Sequence, residues 1–233
     1  MFLGIDPLYW MLMLPALALA GLAQLLVKFT FNKYSTIPCY SGLTGAQAAE
    51  RMLRANGIFD VTIEQTEGFL SDHYDPTKKT LRLSPDVYRS NSLAAVGIAC
   101  HEAGHAMQHA YNYVPLQLRS LLVPVTSLSS NLAFYVFLAG AVLSIKALLL
   151  VGCAMFAVAF VFSVITLPVE WDASARAKQH IVSAGVVSPT QESDAGKVLN
   201  AAFLTYLAAA ISSLMTLIYF LLRSGLLGDR RRD

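Results

Sequence analysis

The stretch "CHEAGHAMQHA", Cys100 to Ala110, holds three of the chain's five histidines and one glutamate. His101 and His105 are four residues apart, which on a helix is one turn: about 6 Å along the axis and about 40° around it. Two imidazoles at that spacing can hold a single ion, and Glu102 lies beside the first of them. The pattern is His-Glu-x-x-His, the helix motif of zinc peptidases, with the glutamate as general base. Neutral imidazoles suit Zn2+, and a catalytic site takes three protein ligands and leaves the fourth position to water. The ion brings that water's pKa towards neutrality and polarises a peptide carbonyl, while the carboxylate carries a proton from the water to the leaving amine. The competing reading is a plain helix whose histidines face solvent or bond to neighbours. His109 continues the row by another turn, about 12 Å from His101, and reads as a polar helix residue. Cys100 reads as a small buried side chain.

The third ligand must come from outside this helix, and the candidates are His73, His180, Asp172 and Glu170. Which of them can arrive depends on the elements around the motif. The chain is 55% hydrophobic and 14% charged, with a mean hydropathy of +0.53, a balance that points to membrane insertion. Pro7–Val27, Ser120–Ile145, Ala147–Val169 and Val198–Leu222 carry no Asp, Glu, Lys or Arg. Each is long enough to cross a core of about 30 Å as a helix. The first could be a cleaved signal peptide, but its leader lacks Lys and Arg and its apolar run is long, so it reads as a retained anchor with Tyr9 and Trp10 at the interface. Pro15 should kink that helix rather than end it.

The second and third stretches are separated only by Lys146 and predict a helical hairpin. If both span, residues 28–119 and 170–197 lie on the same side of the membrane. The expected organisation is therefore an N-terminal span (1–27), a membrane-proximal catalytic region (28–119), a transmembrane hairpin (120–169), a helix carrying the third ligand (170–197), and a last span with a basic tail (198–233). Glu170 follows Pro168 directly, and Glu170, Ser174 and Ala177 share a helical face whose small residues permit close approach to the motif helix. This favours Glu170, with His180 as its replacement; the competing reading of Glu170 is an interfacial carboxylate in a helix's first turn.

Residues 28–119 have the punctuation of a small folded region. "TGAQ", Thr44 to Gln47, is a capping box opening a helix that should stop at Gly57. "DVTIEQ" and "TLRLS" alternate as short strands do, with turn-rich "DHYDPTKK" between them. A second helix should begin near Asn91 or Ser92 and run beyond His109. "TLRLS" reads either as an edge strand able to take up an extended substrate peptide or as an internal strand. The fold class is mainly α, an integral membrane protein with about four transmembrane helices and a small α+β zincin-like region. His73, His180, Arg176 or a nearby tyrosine could stabilise a developing oxyanion, although His73 and Asp75 in "DHYDP" also suit a plain turn.

A net charge of +2 and the lack of a basic run with interleaved aromatics give no sign of a nucleic-acid partner. Cys39, Cys100 and Cys153 have no paired spacing that suggests a disulfide framework or a zinc knuckle. Lys28 and Lys33 follow the first span, which puts the catalytic region on the cytoplasmic face; Arg230–Arg232 then lie outside, which pulls the other way.

"HEAGHAMQHA" together with "PVEWDASARA", the preceding "DHYDP" and the four-span layout resembles the YugP-like membrane zinc metallopeptidases. More distantly the chain is similar to the HtpX-type membrane proteases, whose second motif reads E-x-x-A-D-x-x-A. The resemblance implies a gluzincin site, with His101, His105 and Glu170 on zinc and Glu102 as base, acting on membrane-associated polypeptides in membrane-protein quality control. Ser174 stands where the distant relatives have Asp, so orientation of a ligand histidine falls to Ser174 or to Asp172. The other function classes are a non-catalytic membrane scaffold with a structural metal site and a metal-handling membrane protein; the spans contain only scattered Ser, Thr, Asn and Gln, which disfavours a transport path.

Overall fold

The computed structural model describes residues 6–68 and 71–225. Ten elements follow in order: α1 (Pro7–Ser35), α2 (Gly45–Ala55), β1 (Thr62–Gln65), β2 (His73–Asp75), β3 (Thr80–Leu83), α3 (Pro85–Arg89), α4 (Leu93–Ala110), α5 (Val114–Leu143), α6 (Lys146–Ser183) and α7 (Glu192–Arg223). Among the described residues α1, α5, α6 and α7 are long and apolar enough to cross a membrane. The basic tail, Arg230–Arg232, lies outside the described residues. The described residues form two compact units, one of residues 6–22, 118–167 and 205–225, the other of residues 23–68, 71–117 and 168–204.

In the first unit, α5 and α6 make the expected hairpin, turning at Ser144 with φ of 56°. Two glycines let the helices touch. A Cβ on Gly140 would stand 2.7 Å from the Leu149 nitrogen, and one on Gly152 would stand 2.8 Å from Phe137 Cβ. Phe220 stacks on Phe156 at 4.2 Å and meets Phe137 edge-on at 4.5 Å. Pro15 sits inside α1, which continues through it.

The second unit is built around α4, which is buried along almost its whole length from Leu93 to Gln108. Ser92 caps it by accepting from the Ala95 amide at 3.2 Å, as a helix start with free amides requires. Against it packs α2, opened by the Thr44–Gln47 capping box and followed by Gly57 at φ +74°. Ala48, Ala49, Met52 and Leu53 of α2 join Val96, Ala99, Ala103 and Met107 of α4 in one apolar core.

The sheet has the order β1-β3-β2, with β1 parallel and β2 antiparallel to β3. "TLRLS" is therefore internal, the second of its two readings: Leu81 and Leu83 are fully buried, and β3 pairs on both sides. The segment read as a turn supplies a strand as well. Asp75 ends β2 and turns the chain by accepting from the Thr77 and Lys78 amides, while Tyr74 pairs with Leu81. The short helix α3 was not signalled by periodicity, since five residues are too few to show one.

Candidate metal centre

Glu170 is brought to α4 by a close helix contact. A Cβ on Gly104 would stand 2.5 Å from the Ala173 carbonyl oxygen, so the residue between the two motif histidines must be the smallest there is. Ala173 and Ala177 are fully buried, and α6 runs unbroken through Pro168. The carboxylate of Glu170 is 1% exposed, a position that costs an ionised group dearly unless partners surround it.

Among its partners are the two motif imidazoles. Glu170 Oε2 lies 3.1 Å from His101 Nε2 and 3.5 Å from His105 Nε2, and the rings stand edge to face, 4.8 Å apart. Ligand atoms of His101, Glu102 and His105 lie within 4.8 Å of one another. Two donors each about 2.0–2.1 Å from a tetrahedral zinc are about 3.3 Å from each other. The separations to Glu170 straddle that value, so two imidazole nitrogens and one carboxylate oxygen fit zinc in donor type and in their spacing to Glu170.

The far ring nitrogens are both engaged. His101 Nδ1 shares a hydrogen bond with Ser174 Oγ at 3.1 Å, and His105 Nδ1 with Gln108 Oε1 at 3.0 Å. Burial pulls the His105 imidazole down, but the Glu170 hydrogen bond and charge outweigh it and leave its pKa raised above the ordinary value. Burial raises the Asp72 carboxyl against two hydrogen bonds from Ser84, and the nearby Glu102 charge adds to the rise.

The model of the family described as "Putative neutral zinc metallopeptidase" matches residues 9–225. The chain belongs to this metallopeptidase family. A relative named "Putative membrane protease YugP", from Bacillus subtilis (strain 168), is 46% identical over 215 residues, covering 92% of this chain and 96% of that one. No solved structure matches the chain.

Within this family member the remaining site candidates have partners of their own. Asp172 accepts from Arg176 Nε at 2.6 Å and from Gln108 Nε2 at 2.9 Å. The Arg176 guanidinium also stands 5.7 Å from the ring centres of Tyr111 and of Tyr113. His180 has its pKa lowered by burial and by Arg176. His73 is exposed on β2 and shares a hydrogen bond with the Ser71 carbonyl at 2.8 Å. His109 shares a 2.8 Å hydrogen bond with the Tyr74 hydroxyl, whose pKa is pushed up to about 12 by burial and by Asp60 and Asp75. Gln108 was missed by sequence reasoning, although it stands three residues after His105 and seven after His101, on the same helical stripe.

Proposed function

We propose that the chain is a membrane-embedded, zinc-dependent endopeptidase of the gluzincin type, in which His101, His105 and Glu170 hold the metal and Glu102 is the general base. The observation that carries the reading is the meeting of His101 Nε2, His105 Nε2 and Glu170 Oε2, at 3.1 and 3.5 Å, with Glu102 at its side. When bound, zinc supplies Lewis acidity to a water and to the scissile carbonyl. Glu102 would serve as the general base and acid, taking a proton from the attacking water and passing it to the departing amine, a role worth about 10²–10⁴-fold in rate. Ser174 and Gln108 hold the two ligand rings from behind. The zincin-like region of residues 28–119 supplies the motif helix, and residues 170–197 supply the carboxylate.

An extended substrate chain would add along β2, which among the described residues pairs with β3 alone. The substrates we assign are membrane-associated polypeptides cut near the bilayer surface, on the cytoplasmic face given the lysines after the first span. Quality control of membrane proteins is the role suggested by the likeness to the HtpX-type enzymes. Purified protein should carry about one zinc per chain, and Glu102→Gln should keep the metal while losing cleavage of an unfolded substrate. Equal cleavage by the wild type and this variant would remove Glu102 as base. Unchanged partner binding with no cleavage by either protein would favour a scaffold.

A further inference from the structure

We infer that Gln108 is a positioning residue for the metal centre, an acceptor that fixes which nitrogen His105 can offer to the ion. The inference rests on the proposed zinc reading and concerns the orientation of one ligand. Gln108 is completely buried. Its amide nitrogen donates to the Val169 carbonyl oxygen at 2.7 Å and to Asp172 Oδ2 at 2.9 Å. Both of those partners are acceptors only, so both amide hydrogens are committed and the opposite amide orientation would set oxygen against oxygen. The Gln108 oxygen is thereby left facing His105 Nδ1 at 3.0 Å, where it can only accept.

An imidazole held this way carries its proton on Nδ1 and leaves the Nε2 lone pair to the metal. Ser174 does not impose the same choice on His101. A hydroxyl can donate or accept, so the 3.1 Å contact between Ser174 Oγ and His101 Nδ1 suits either tautomer. The two motif histidines are thus held unequally. The holding of His105 is also tied to the third ligand: Val169, whose carbonyl pins the amide, immediately precedes Glu170. Asp172, the second anchor, is itself gripped by Arg176 at 2.6 Å. One side chain therefore couples the direction of His105 to the backbone that delivers Glu170.

The test uses the full-length protein in detergent, with zinc affinity read by chelator competition and the visible spectrum of cobalt(II)-loaded protein as a report on ligand geometry. Gln108→Met keeps the bulk and removes the acceptor; Gln108→Ala removes both. Both variants should bind zinc about 10–100-fold more weakly, as the loss of an outer hydrogen-bond partner does, with an altered cobalt spectrum and with the metal-free Gln108→Met protein melting near the wild type. Ser174→Ala should weaken zinc less. Wild-type affinity and spectrum in Gln108→Met, with loss only in Gln108→Ala, would reduce Gln108 to a packing residue and overturn the inference while leaving the zinc centre intact. Failure of the wild type itself to bind zinc or cobalt would overturn both.

Discussion

Asp6 and Glu170 are both buried carboxylates, and the two units that contain them satisfy them by different means. Asp6 accepts from the Tyr219 hydroxyl at 3.0 Å, pairs with Arg223 Nε at 3.2 Å, and takes the Leu8 amide at 3.1 Å. Those partners are a fixed cation and hydrogen-bond donors, so the group is complete as it stands. Glu170 instead faces two imidazoles whose far nitrogens are already engaged. Under the proposed zinc reading, His105, held at Nδ1 by an oxygen that can only accept, offers its Nε2 lone pair to the cation that Glu170 also faces, while Ser174 leaves His101 either tautomer. Both units thus bury a carboxylate; under the proposed zinc reading they differ in what completes it, a cation of the chain itself at Asp6 and a bound metal ion at Glu170.

The comparison is broken most directly at Glu170. Glu170→Ala should cost more zinc affinity than the ~10–100-fold of an outer partner and abolish cleavage; retained stoichiometric zinc would mean that the carboxylate is not a ligand. Next comes the contact that delivers it. Gly104→Val forces side-chain atoms onto the Ala173 carbonyl, an overpacking of about 1–3 kcal/mol that should part α4 from α6 and lower zinc affinity and cleavage together. Cleavage at the wild-type rate would show that the contact has slack.

Acidification sharpens the same contrast more gently. In the metal-free protein the pKa of His105 is raised from 6.5 because Glu170 outweighs burial. A proton on the imidazole competes with the ion, so affinity is full above the raised pKa and falls as the pH drops through it. Apparent zinc affinity, read by chelator competition between about pH 8 and 5, should begin to fall above the ordinary imidazole value; a fall that begins only below 6.5 would contradict the raised value. The smallest effect is expected at the other carboxylate. Asp6→Asn can keep the Tyr219 hydrogen bond, and Arg223 is 41% exposed and can turn to solvent, so melting should fall by about 1 kcal/mol or less, with zinc content unchanged.

Local rules made much of the second unit readable in advance. The Thr44 capping box, the stop at Gly57 and the Ser92 cap are each decided within a few residues. The same holds for the one-turn relation of His101, Glu102 and His105. β2 and α3 were harder because three and five residues are too short to display a period, and "DHYDP" carries turn chemistry and strand pairing in the same residues. Gln108 lay in plain view on the motif stripe, but a glutamine has no metal chemistry of its own, and only its partners give it a role.

By itself the sequence determined the four apolar helices and the facing of two imidazoles, because helix length and the 3.6-residue turn are properties of a single segment. The sequence favoured Glu170 over His73, Asp172 and His180, but that its carboxylate reaches them was decided by tertiary structure, since it depends on Gly104 and Ala173 letting two helices distant in sequence touch. Tertiary structure also decided that β3 lies inside the sheet. An alternating pattern shows that a strand exists, but the number of neighbours it pairs with is set by chain segments elsewhere.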